Sequence, residues 1–166
     1  MVIFSIYLNR NLFAVVNLVG TYECKVDAKG RLMVPAPLKK QLVPMLQDGF
    51  VLKRSVYENC LELYPLKEWD AVMNEMKGRL NTFLKPHRNL LRQFTAGAKV
   101  VEVDTNGRLL IPKDLVEFAG IDKEIVLASS TNFVEIWDKK KYENTLENSV
   151  DDFASLAEEI MGKPKE

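Results

Sequence analysis

The stretch VDAKGRLMVP at residues 26–35 returns as VDTNGRLLIP at residues 103–112, with Val, Asp, Gly, Arg and Pro at the same offsets 77 residues apart. A chain of 166 residues that writes one charged turn twice folds as two very small units or as one body with two equivalent halves. The chemistry of each copy predicts strand, tight turn, strand and short helix. Tyr22, Cys24 and Val26 alternate with Glu23 and Lys25, the period of a half-buried strand. Asp27 to Gly30 turns the chain, because Gly30 admits a positive φ and an Asp side chain bonds the backbone of its own turn. Arg31 to Val34 returns as the second strand of a hairpin. Pro35 cannot donate to a ladder and suits a first helical turn, so it opens a helix with Leu38 and Leu42 that stops before Pro44. Copy two predicts the same: Val101 and Val103 alternate, Asp104 to Gly107 turns, Arg108 returns, and Pro112 starts a helix bearing Leu115 that ends at Gly120.

The repetition runs on past the turn. VLKRSVYENCLELYPLKEW (51–69) matches VLASSTNFVEIWDKKKY (126–142), with Leu61-Glu-Leu-Tyr64 over Val134-Glu-Ile-Trp137. The unit is therefore ββαββ followed by a helix, an α+β class. Four short strands bury a sheet poorly alone, so the two copies are expected to pack as a pseudo-symmetric pair around a shared core. The division expected is an N-terminal extension at 1–17, a first module with its helices at 18–95, and a second module with a C-terminal helix at 96–166. Residues 1–17 lack a basic n-region and are broken by Arg10, which argues against a signal peptide, and they are too short and polar to span a membrane.

The helices add an apolar seam. Leu66, Trp69, Met73, Met76, Leu80 and Phe83 follow alternating spacings of three and four, until Lys85-Pro86 ends the run and a second helix carries Leu90, Leu91 and Phe94. Leu146, Val150, Phe153, Ala157 and Ile160 repeat the pattern near the C-terminus. Such stripes serve internal packing or subunit contacts.

Formal charge is zero overall but uneven: residues 21–95 carry a net +5, residues 96–166 a net −6, and Arg10 supplies the rest. Asp and Arg four positions apart put opposite charges at the neck of each turn. As a surface ion pair this contributes only about 0–1 kcal/mol. The alternative is that Asp holds Arg in one rotamer and aims a guanidinium outward at phosphate or guanine. Asp27, Lys29, Gly30 and Arg31 form the candidate site in copy one; Asp104, Asn106, Gly107 and Arg108 form it in copy two. Lys25, Lys39, Lys40, Lys53 and Arg54 lie near the first turn in sequence, whereas Lys99, Arg108 and Lys113 in the second are balanced by Glu102, Asp104 and Asp114. The count favours copy one as the basic face.

Catalytic and metal chemistry have little to work with. There is no GxSxG, HExxH or Gly-rich phosphate loop, and the one histidine, His87, follows Pro86 in a predicted loop or cap position. Cys24 and Cys60 are far apart and lack CxxC spacing, so they read as reduced core cysteines rather than zinc ligands. No cofactor, metal or catalytic residue is expected.

The doubled Asp-x-x-x-Arg, as DAKGR and DTNGR, resembles the MraZ family of tandem AbrB-like swapped-hairpin modules. The likeness extends through GTYECKVDAKGRLMVP, CLELYPLKEW, GRLLIPKDLVEFAGI and the VEIWD segment, about residues 18–162; residues 1–17 lie outside the family pattern. The resemblance implies two modules closing a pseudo-symmetric small β-barrel with helices after each. It also implies a cytoplasmic, nucleoid-associated transcriptional regulator rather than an enzyme or membrane protein. Its partners would be double-stranded DNA, as short direct repeats upstream of its own division and cell-wall gene cluster, and further copies of itself in a ring. A ring-forming scaffold that binds proteins through its helical seams is the alternative.

Overall fold

A computed structural model describes residues 16–164. The first strand, β1 (Thr21–Lys25), exposes Thr21, Glu23 and Lys25 and half-buries Tyr22 and Cys24, as its alternation requires. After the turn, β2 (Arg31–Met33) buries Leu32 between exposed Arg31 and Met33. Pro35 precedes α1 (Ala36–Leu42), whose Leu38 and Leu42 are buried, and a 3-10 turn at Val43–Met45 accommodates Pro44. The second copy repeats this with β5 (Lys99–Val101), β6 (Arg108–Leu110) and α4 (Lys113–Ala119), which ends at Gly120 with φ of 59°.

The hairpin expected around each turn is reduced to a single bridge, Val26 to Leu32 in copy one and Val103 to Leu109 in copy two. The two returning strands pair with each other instead, with Arg31 opposite Leu110, Leu32 opposite Leu109 and Met33 opposite Arg108. The reason is cover: a three-residue strand with one buried apolar side chain finds its best neighbour in the equivalent leucine of the other copy. β1 likewise pairs with β7 (Glu124–Ser130), and β5 with β3 (Phe50–Arg54). Between them lie β4 (Leu61–Pro65) and β8 (Phe133–Asp138).

The resulting six-stranded sheet runs β1-β7-β8-β4-β3-β5, an order that reads the same when the copies are exchanged. At its centre, Glu62 faces its own repeat equivalent Glu135. The sheet is open. β1 and β5 are its edges, and the short β2 and β6 pair only with each other, so the expected small β-barrel does not close. Leu32, Leu38, Leu52, Leu109, Leu115 and Ile136 belong to the larger of two buried apolar clusters, which both copies fill, each contributing about 1.5–3 kcal/mol by its burial.

Lys53, counted with the basic residues of copy one, is not at the surface. It is fully buried, 3.1 Å from Glu62 and 4.3 Å above the Phe94 ring. α2 (Leu66–Arg79) half-buries Leu66, Trp69, Met73 and Met76; Trp69 stacks on Phe94 of α3 (Lys85–Thr95) and meets Tyr64 edge-on. That part of the seam is internal packing. Leu80 and Phe83 fall beyond the helix, and Phe83 is 92% exposed. The C-terminal stripe behaves oppositely: on α5 (Lys139–Asn148) and α6 (Val150–Met161), Leu146, Phe153 and Ile160 are exposed and Ala157 is half-buried. The side chain of Val150 lies outside the described residues, as do residues 1–15 and thus nearly all of the expected extension. From Leu18, which is buried, the chain is tied to the fold by its N–H donating to the Thr131 carbonyl at 2.6 Å.

Candidate nucleic-acid interface

Each Asp-x-x-x-Arg segment is a closed cage of hydrogen bonds. In the first, Asp27 Oδ1 accepts from the backbone N–H of both Lys29 and Arg31 at 2.9 Å, and Asp27 Oδ2 accepts from Arg31 Nε at 2.9 Å. The Asp27 N–H donates to the Arg31 carbonyl, and the Gly30 N–H donates to the Asp27 carbonyl. The aspartate thus shapes the loop and grips the guanidinium that leaves it. In the second turn Asp104 Oδ1 accepts from Asn106 and Arg108 N–H at 2.8 and 2.9 Å, but Arg108 Nε stands 3.5 Å from Asp104 Oδ2, beyond a good hydrogen bond. The cage is the same and the grip on arginine is looser.

The ribbon of β2 and β6 fixes where these turns stand. Gly30 accepts from the Ile111 N–H and Gly107 from the Val34 N–H, so the turns cap opposite ends of one two-stranded ribbon. Four residues of extended chain separate Gly30 from Val34, roughly 13 Å. Arg31 and Arg108 therefore sit diagonally, each side chain about two-fifths exposed. Met33, opposite Arg108, and Leu110, opposite Arg31, take the other diagonal, and both are more than half exposed. These two apolar residues were missing from the sequence-based site. The signal was there: alternation around buried Leu32 and Leu109 puts Met33 on the face of Arg31, and Leu110 on that of Arg108. The major groove of DNA admits a two-stranded β-ribbon, and there arginine pairs with guanine and apolar groups meet thymine methyls.

The structure brings together Asp27, Lys29, Gly30 and Arg31 at one ribbon end and Asp104, Asn106, Gly107 and Arg108 at the other. It redistributes the cations around them. Lys53 is buried, and Arg54 lies over the Phe118 ring at 4.9 Å. Lys39, near turn one in sequence, lies on turn two. Lys99 is paired with Asp114.

Both turn carboxylates are held below the ordinary aspartate range, chiefly by the backbone N–H of the following arginine, Arg31 for Asp27 and Arg108 for Asp104. A lowered acid pKa in the folded state means that this stabilisation is complete above the unfolded value and is lost as pH falls through the folded one. The turns are therefore expected to stay intact at neutral and mildly acidic pH. Carboxyl-detected NMR titration should place both midpoints below that of a free aspartate; an ordinary midpoint would show that the cage does not persist in solution.

His87 and the two cysteines have places in the packing. His87 stands in the first turn of α3 rather than in a loop, and its Nδ1 accepts from the Asn81 N–H at 2.8 Å. Cys60 is buried and Cys24 half-buried, both as free thiols; burial pushes Cys24 up to about 11 and raises Cys60 as well. Among the described residues, no group of three or more His, Cys, Asp or Glu side chains forms a metal cluster, and no helix is long and apolar enough to cross a membrane.

Comparison with known proteins follows the same two-copy division. A family model described as "MraZ protein, putative antitoxin-like" matches twice, over residues 18–93 and 94–162. The chain is 71% identical over 147 residues to the transcriptional regulator MraZ of Christiangramia forsetii, covering 89% of this chain and 94% of that protein. It is 61% identical over 145 residues to the protein of the same name from Flavobacterium psychrophilum, covering 87% and 92%. For that of Bacteroides thetaiotaomicron the identity is 36% over 146 residues, covering 88% and 93%.

Proposed function

Because this chain belongs to the MraZ family, whose cited members are named transcriptional regulators, we propose that it regulates transcription by binding DNA through its two Asp-x-x-x-Arg turns. The observation that carries this reading is the ribbon with a part-exposed arginine at each end, Arg31 gripped by Asp27 and Arg108 paired more loosely with Asp104. Bracing removes rotamer freedom before binding, so less entropy is lost when the guanidinium meets a base or phosphate. The protein acts as a repressor of its own division and cell-wall gene cluster, on short direct repeats upstream, and associates with the nucleoid. It works as a homo-oligomeric ring, in which the exposed stripe of α6 supplies subunit contacts. A chain with zero net charge binds DNA in this way because its cationic turns are gathered on the ribbon while acidic residues such as Glu158 and Glu159 lie on α6.

A gel shift with the protein's own upstream region tests the assignment. Arg31→Ala should cost about 1–3 kcal/mol of specific binding while leaving the thermal midpoint unchanged. A mutant that shifts the operator as well as the native protein does would show that turn one does not read DNA. The scaffold alternative would be favoured if the native protein left that duplex unshifted.

A further inference from the structure

We propose that Lys39, a residue of the first copy, is a DNA-phosphate-contacting group of the second turn, supplying there the cation that Asn106 does not. This rests on the reading of the turns as DNA-binding elements and deepens it.

The repeat offset that relates Gly30 to Gly107 also relates Lys39 to Val116. Because the copies exchange strands, α4 of the second copy covers turn one and α1 of the first covers turn two. A Cβ on Gly30 would meet Val116 Cγ2 at 3.7 Å; a Cβ on Gly107 would lie 3.0 Å from Lys39 Nζ and 3.4 Å from its Cδ. A valine therefore lies on turn one and a lysine on turn two, in equivalent places. Inside the loops the chemistry is reversed, with Lys29 in turn one and the neutral Asn106 in turn two. Each turn then holds one arginine, one lysine and one aspartate. In one the lysine comes from the loop itself, in the other from the helix of the opposite copy.

Three further features agree. Among the described residues Lys39 takes part in no ion pair, so its charge is not consumed within the fold. Its ammonium acts on Asp104, adding to the pull of Arg108 that holds the carboxyl low. With Asp104 under the influence of two cations, Arg108 Nε is enclosed yet donates to no acceptor, whereas Arg31 Nε is bonded to Asp27. The guanidinium of turn two is thus left less tightly held beside a free ammonium. That pair of neighbouring donors suits a phosphate, with lysine as the point charge. The linear charge count, which assigned Lys39 to turn one, exaggerates the difference between the turns.

Fluorescence anisotropy with a labelled duplex of the protein's own upstream region, read across a salt series, tests this. Lys39→Met keeps the stem of the side chain and removes the charge. It should weaken binding about tenfold and lower the log–log salt slope by about one per bound subunit. Adding Asn106→Lys to that variant places the cation inside the loop, as in turn one, and should restore both affinity and slope. Lys67→Met, on α2, where the side chain is 79% exposed and 3.9 Å from Asp48, should change neither. Native affinity and slope in Lys39→Met would overturn the proposal and leave the role of Arg31 standing. A loss that Asn106→Lys does not restore would overturn it too, since the lysine would then be acting through the fold. A native protein that does not bind the duplex at all would overturn the underlying reading, and this proposal with it.

Discussion

Gly30→Ala is expected to destabilise the protein by roughly 2–5 kcal/mol, and Gly107→Ala by only about 1–2 kcal/mol. Both glycines sit in the left-handed region, at φ of 85° and 79°, so either alanine meets the same backbone strain. What lies against them differs. A methyl on Gly30 would overlap the carbonyl oxygen of Ile111, a backbone atom of the crossing ribbon. Ile111 cannot retreat, because its side chain is 1% exposed in the core and its N–H is bonded to the Gly30 carbonyl. A methyl on Gly107 would meet the end of Lys39, a half-buried but flexible side chain that can shift more cheaply than backbone. Urea unfolding of both variants at one protein concentration decides between them. Equal midpoints, or a larger loss at Gly107, would show that the ribbon yields where this geometry has it rigid. Lys39 would also be displaced by the Gly107 methyl, so that variant should weaken DNA binding out of proportion to its small loss of stability.

How far the fold was legible in the chain follows from the range of the forces involved. The turns were legible because their chemistry is local: Asp27, Gly30 and Arg31 bond within five residues, and Pro35 and Pro112 open helices wherever they stand. The alternation of β1 and the spacing of Leu38 and Leu42 are equally local. Reading each copy as a hairpin failed because the best cover for Leu32 is Leu109, and nothing within ten residues of either reports that pairing. The likeness to swapped-hairpin modules carried the exchange that periodicity missed. Lys53 was misplaced for a related reason. Its strand is covered on both faces, and the groups that make its burial tolerable, Glu62 and Phe94, come from β4 and α3. At the site, Lys39 was assigned to the wrong turn by the same local assumption. Met33 and Leu110 carry no charge to mark them, and only the pairing of β2 with β6 puts each opposite an arginine.

DNA carrying two or three operator repeats should bind about a hundred- to ten-thousandfold more tightly than DNA carrying one. One ribbon presents two arginines and two lysines, enough to register on a groove but too little for tight binding at physiological salt. In a closed assembly every further ribbon meets its repeat as an intramolecular event, and the gain requires no new contact. It does require geometry. Inserting about five base pairs, half a helical turn, between repeats should rotate the second site to the far side of the duplex and remove most of the gain. The assembly itself is expected to run through α6, where Phe153 is 71% and Ile160 63% exposed, since the α2 seam is occupied by packing against β4 and α3. Phe153→Glu should therefore lower the mass seen by light scattering from several chains to one, at unchanged helix content. The same substitution should reduce tandem binding to the single-repeat level while the turns stay intact, which separates avidity from contact chemistry. A native monomer that binds one repeat as tightly as a tandem array would end the argument. So would a Phe153→Glu variant that becomes monomeric and keeps the full tandem gain.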